Sequence, residues 1–280
     1  MWLFFDFCAF LTIFVPTNYI VMQRKIVIYG LSSMLLLTTS CASHYHLADI
    51  SRSRILICNR YDAAPDAEAA AFVAPYRHDV DSIMGPVVGA TARYLSAYRP
   101  ESPLSNLVAD ILMFESARFN EKPDFAVYNM GGVRSAFAKG LVTYGDVVDV
   151  APFENKICFL SLRGDKVIQL FEEMAMTGGE CVSHGVELVF SKRKLMEACL
   201  NDSKISPDST YRIVTLNYLA QGNDNLEAFK NGTDVVSPED EKNNVRYLIV
   251  DYFRKQQAKG VLVDSNIEGR IVNVDNYDAK

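Results

Sequence analysis

Three short polar clusters in the 280-residue chain carry the residue types that hold small, oxygen-rich ligands. The first, Asn129-Met130-Gly131-Gly132-Val133-Arg134-Ser135, follows an apolar stretch. Paired glycines let a backbone take conformations that other residues avoid and let a ligand come close. Arg134 adds a fork of donors suited to phosphate or ribose oxygens. A tight turn with a solvated arginine has the same composition, so both readings stand on these residues alone. The second cluster is Ala151-Pro152-Phe153-Glu154-Asn155, and an aromatic beside a loop proline ordinarily packs locally. The third, Asn217-Tyr218-Leu219-Ala220-Gln221-Gly222-Asn223-Asp224-Asn225, is rich in turn formers. Taken alone, it is equally a loop stabilised by Asx turns.

Other chemistries find little footing. Metal-assisted phosphoester hydrolysis uses two cations about 3.5–4 Å apart, held by several His, Asp and Asn ligands. The four histidines are His44, His46, His78 and His184, and His44-Tyr45-His46 reads as a solvated linker pair. Of six cysteines, Cys8 and Cys41 fall in the first 41 residues, and no CxxC spacing occurs, which speaks against zinc and redox motifs. There is no GxSxG elbow. The expectation is a chain with no metal site, no cofactor and no hydrolysis of its own. The net charge is −6, and it becomes more negative by one when residues 1–40 are set aside, because Asp6 leaves with Arg24 and Lys25. Such a surface disfavours nucleic acid polymers, while a few well-placed arginines still permit a small phosphorylated ligand.

Residues 1–40 read as a leader. From Met22, expected to be the true start, a basic stretch (Arg24, Lys25) precedes an apolar run over 26–37 and small residues ending at Cys41, the order of a secretory signal. Leu37-Thr38-Thr39-Ser40-Cys41 is similar to a loose bacterial lipobox with Cys41 taking the lipid. An ordinary cleaved signal is one alternative. Another is a span over 1–21, which Asp6 and Pro16 would interrupt. Residues 41–66 read as a tether with one short strand over 55–58, and 67–275 as the folded domain. Within it, 66–98 is expected as helical pieces broken by Pro75 and Pro86. Leu104, Leu107, Val108, Ile111, Leu112 and Glu115 mark a helix started by Ser102-Pro103. Strands are expected over 124–128, 156–162, 186–190 and 211–216. Thr143 is a candidate helix cap. Gly164-Asp165 opens a helix with Val167, Leu170, Phe171 and Met174 on one face, and a last helix is expected over 239–259 behind Pro238. With 49% apolar residues to form a core, this mixture gives an α+β fold with mixed sheet and helices in a layered sandwich.

In this order and spacing, the clusters resemble the C-terminal domain of bacterial and animal 5′-nucleotidases, over roughly residues 70–274. That family shows a GGIR loop after an Asn, a TYGD…PF.N stretch and an N(F/Y)LA.GGDG turn. This chain has Gly131-Gly132-Val133-Arg134, then Thr143-Tyr144-Gly145-Asp146 with Pro152-Phe153-Glu154-Asn155, then Asn217-Tyr218-Leu219-Ala220 with Gly222-Asn223-Asp224. Pro75-Tyr76-Arg77 and Leu104-Ser105-Asn106-Leu107 resemble the lead-in. The resemblance implies that Phe153 and Tyr218 sandwich a base and that Asp224 accepts from ribose hydroxyls. It also implies that Arg134 holds the phosphate or ribose side and that Asn129, Asn155 and Gly185 line the pocket. Asn223, Asn225 and Leu226 depart from the family's turn, and a further family arginine falls on Tyr98 with Arg99 one position away. The family's metallophosphatase motifs D.H, GNH(D/E) and GH.H do not occur. The implied system is therefore split, with a nucleotide or nucleoside gripped here and divalent metals on a separate metallophosphatase chain. The alternative is a binding-only lipoprotein of the cell envelope, held to the membrane by its lipid on the periplasmic or outer-membrane face.

Overall fold

The computed structural model describes residues 66–276 without a break, together with 22, 24–29, 50–56 and 58. The chain divides into Met1–Pro65 and Asp66–Lys280. In the first unit, residues 24–29 are helical, while 50–56 and 58 have no regular structure. The expected strand is thus not formed at Ile55, Leu56 or Cys58. Cys41 and most of the leader lie outside the described residues. No helix among the described residues is long and apolar enough to cross a membrane.

The second unit opens with α1 (Ala67–Met84), whose first amides, those of Glu68 and Ala69, donate to the Asp66 carboxylate at 3.0 Å. Pro75 was expected to break this segment and does not. The helix buries none of its residues, so the carbonyl deprived of its partner faces water instead of core, and the break is not enforced. It does stop before Pro86, and Val87–Thr91 is a strand, β1, where helix was expected. α2 (Pro103–Ser116) matches its apolar period, with Leu104, Leu107, Val108, Ile111 and Leu112 buried. Ser102 accepts from the Ser105 amide while the Ser105 hydroxyl accepts from the Ser102 amide, satisfying two donors that a helix start leaves over. Ser102→Ala is expected to cost about 1 kcal/mol, read as a lower urea midpoint with an unchanged slope.

The central sheet runs β10 (Thr233–Val236), β4 (Ile157–Arg163), β9 (Thr210–Leu216), β2 (Phe125–Tyr128), β5 (Cys181–Val182). β4 pairs antiparallel with β9 from Ile157↔Leu216 to Arg163↔Thr210, whereas β2 runs parallel to β9 through Phe125↔Ile213. A second sheet runs β11 (Ile271–Asn273), β6 (Val186–Ser191), β7 (Lys194–Leu200), β8 (Ser203–Lys204), and β1 pairs with β3 (Gly140–Thr143). Helices α3 (Tyr144–Val150), α4 (Gly164–Thr177), α5 (Asn217–Ala220) and α6 (Val245–Ala258) complete the unit.

β2 is buried at all four positions, and Phe125 meets Phe171 of α4 at 5.5 Å between ring centroids. Helices thus pack on a mixed sheet, the α+β class expected. α6 begins at Val245, six residues later than expected, because Asn244 caps it by accepting from the Arg246 amide. The charged stretch ahead of it forms only a short turn over Glu241–Asn243.

Candidate functional site

The strand directions decide where the three polar clusters go. β2 and β9 are parallel and end together; β4 is antiparallel and starts at that same end. The residues after β2, before β4 and after β9 therefore share one rim of the sheet.

At the rim, the Asp224 carboxylate is held from both sides. Tyr218 donates its hydroxyl to Oδ1 at 2.9 Å, and Asn129 donates Nδ2 to Oδ2 at 2.6 Å. Asp224 and Asn225 have φ of 57° and 62°, the left-handed region that short polar side chains tolerate. Asn225 thus fits a turn where the family places glycine. Asn223 ties the turn back by donating to the Tyr218 carbonyl at 2.8 Å, and Leu226 is fully buried beneath it. The Tyr218 hydroxyl is shifted above the ordinary tyrosine range, first by its hydrogen bond to Asp224, then by burial and by the carboxylate's charge. Ionising it would set two anions in contact.

Asn129 is buried, and its Oδ1 has no hydrogen-bond partner. A Cβ on Gly132 would stand 2.6 Å from that oxygen and 2.8 Å from the Tyr128 ring, so the second glycine is required by close packing. The turn is anchored underneath by Glu180, whose Oε2 accepts from the Met130 amide at 2.5 Å. Its Oε1 accepts from Arg99 at 2.5 Å and from the Thr177 hydroxyl at 3.1 Å. Arg134 is exposed. Its amide donates to Val150 at the end of α3, while its guanidinium reaches only the Gly131 carbonyl, at 3.5 Å. That leaves its donors directed to solvent. Thr143 caps α3 as expected, in a reciprocal pair with Asp146.

Phe153, on the loop before β4, is 47% exposed and Tyr218, in α5 after β9, 37%, so neither is packed away, and the rim holds the two segments together. The Asn217 side-chain oxygen makes that junction, accepting from the Lys156 amide at 3.0 Å and the Tyr218 amide at 2.9 Å. Asn155 is half-buried and its carbonyl accepts from the Val245 amide. Gly185 stands apart in the described contacts. Its φ is +88° and a Cβ there would press within 2.3 Å of Asn201 Oδ1. It lines a recess of about 320 Å³ with His184, Asp202, Glu268 and Arg270, and no described hydrogen bond joins it to Asp224. Glu180 and Asn217 were not singled out from sequence, although Asn217 lies in the third cluster.

Among the described residues, no group of three or more His, Cys, Asp or Glu gathers as a metal ion would require. The rim offers a carboxylate for hydroxyl donors, ring faces for a flat heterocycle and a guanidinium for an anion.

Residues 85–231, just over half of the chain, match the family model described as 5′-nucleotidase, C-terminal domain. The chain belongs to the 5′-nucleotidase family. Among curated relatives, it is 28% identical over 176 residues to Endonuclease YhcR of Bacillus subtilis, covering 60% of this chain and 14% of that protein. To Protein UshA of Escherichia coli it is 30% identical over 112 residues, 39% of this chain and 20% of that one. The 5′-nucleotidase precursor of Thermus thermophilus superposes with a TM-score of 0.66 at 24% identity, over 76% of this chain and 44% of that chain. The chain therefore spans a minor part of the relatives it matches, and the fold it shares with the Thermus thermophilus protein extends over about three quarters of this chain and less than half of that one.

Proposed function

We propose that this chain is the nucleotide- or nucleoside-gripping module of a 5′-nucleotidase-type system, anchored at the cell envelope through a lipid on Cys41. In this reading a separate metallophosphatase chain supplies the divalent metals and the hydrolysis. The observation that carries it is the Asp224 carboxylate, fixed at the rim by Tyr218 and Asn129. Each of its oxygens retains acceptor capacity for a vicinal diol, a charge-assisted contact. Phe153 and Tyr218 supply the stacking faces and Arg134 the anion contact, with Asn155 beside them. The described residues do not suit a dimetal centre, since nowhere among them do three or more His, Cys, Asp or Glu side chains gather as a metal ion would require, so no chemical step is assigned to this chain.

Calorimetry with adenosine and AMP tests the grip. Tyr218→Ala is expected to weaken binding by about 1–3 kcal/mol, the worth of one stacked base. Phosphate release from AMP by the purified chain with Mn²⁺ or Zn²⁺ alone, at an enzymatic rate, would defeat the split-system reading. Recovery of a metallophosphatase from envelope extract on the immobilised chain supports it. Nucleoside binding with no such recovery favours the binding-only alternative.

A further inference from the structure

The loop that presents Phe153 is gripped from behind by three successive residues at the start of α6. Arg246 donates Nε to the Ala151 carbonyl at 3.2 Å and Nη2 to the Pro152 carbonyl at 2.5 Å. The Val245 amide donates to the Asn155 carbonyl at 2.9 Å. Lys156 and Asn244 form an antiparallel bridge. The loop is thus held at 151, 152, 155 and 156, leaving Phe153 and Glu154 as a two-residue tip. The clamp is itself fixed to the core. The Arg246 amide donates to Asn244 Oδ1 at 3.0 Å, and Asn244, Val245, Leu248 and Ile249 are all buried.

We propose that Arg246 is a positioning residue for ligand binding, setting the Phe153 ring in its stacking place without itself touching the ligand. This rests on the reading of Phe153 as a base platform given above. Arg246 lies beyond residue 231, where the family match ends. The chemistry favours arginine at this position, because a planar fork spans two successive carbonyls while an ammonium is a single point of contact. An unheld tip would have to be ordered each time a base binds, and that ordering subtracts from affinity.

A double-mutant cycle on the full chain, read by adenosine calorimetry, tests this. Arg246→Ala is expected to raise Kd by about tenfold and Phe153→Ala by about tenfold or more. The double variant should bind like Phe153→Ala alone, since an arginine that acts through the ring has nothing left to position. Arg246→Lys should recover only part of the loss. Should Arg246→Ala fail to fold, Arg246→Lys replaces it in the same cycle. Wild-type affinity in the Arg246 variant, or losses that simply multiply in the double variant, overturns the proposal. Wild-type affinity in Phe153→Ala is a different failure, one that removes the stacking platform itself.

Discussion

Arg270→Met is expected to destabilise the folded unit by about 3 kcal/mol, the lower end of the cost of stranding one partner of a buried ion pair. Arg270 is 3% exposed, and its guanidinium donates to both oxygens of Asp110 at 2.8 and 2.7 Å. It also donates to the Val182 carbonyl at 2.8 Å and to Glu268 at 3.0 Å. Burial works against its charge, but the hydrogen bonds and charges of Asp110 and Glu268 outweigh it and leave Arg270 more basic than an ordinary arginine. Methionine of similar length fills the space and donates to nothing. Val182 loses its guanidinium donor. Asp110 and Glu268 are 38% and 40% exposed at their side chains, so water recovers part of their solvation, which is why the lower end applies. Thermal unfolding should fall by about 6–12 °C for a domain of this size, and a fall of a degree or two would show that the network contributes little.

The pH dependence has a definite sign. Burial pushes Glu268 up, but the hydrogen bond from His184 and the charge of Arg270 hold it below the ordinary glutamate range. A carboxyl depressed on folding stabilises above its unfolded pKa and loses that contribution as pH falls through the depressed value. The gap between wild type and Arg270→Met should therefore narrow in acid.

What sequence revealed follows from which forces are local. The helix over 103–116 was legible because its apolar period and the Ser102-Pro103 start act within a few residues. The strands at 125–128, 157–163 and 210–216 were legible as short apolar runs bounded by turns. The two-residue β5 and β8 carry no period, and β11 exists by pairing with β6 some eighty residues earlier in the chain. β7 was missed for a similar reason, since Lys-Leu-Met-Glu-Ala-Cys-Leu does not alternate, and its place comes from pairing with β6. Pro75 misled because the proline rule assumes that a broken bond is costly, and an exposed helix lessens that cost.

The polar clusters were legible by residue type, yet their meeting was not. It depends on β2 being parallel and β4 antiparallel to the same strand, a choice that no local pattern encodes. The residues that hold the rim together escaped for the same reason. Glu180 reaches Met130 only because β5 pairs with β2, and Arg246 reaches Pro152 across more than ninety residues of chain. Gly185 was placed by resemblance, and the left-handed backbone found there has a local cause in the tight turn at His184-Gly185, which the Val186 amide closes on the Ser183 carbonyl ahead of β6.

Asp224→Ala is expected to have the largest effect on binding, raising Kd for adenosine by about a hundredfold. Two hydrogen bonds to a charged acceptor contribute about 1.5–3 kcal/mol each, and about 2.7 kcal/mol in total already gives two powers of ten. The loss should fall on the sugar. Wild type should prefer adenosine over 2′,3′-dideoxyadenosine by roughly the same hundredfold, and the variant should bind the two about equally, because the group that told them apart is gone. The same substitution removes the acceptor of the Tyr218 hydroxyl, so Tyr218 should titrate closer to an ordinary tyrosine, visible in the ultraviolet tyrosinate band. Asn129 also loses the partner of its Nδ2, which already sits beside an unpaired Oδ1, and some loosening of the 129–134 turn is expected. That loosening would weaken both ligands alike, whereas loss of the diol contact weakens only adenosine. Equal losses for both nucleosides would mean that Asp224 serves to brace Tyr218 and Asn129, and its role as the ribose acceptor would have to be given up.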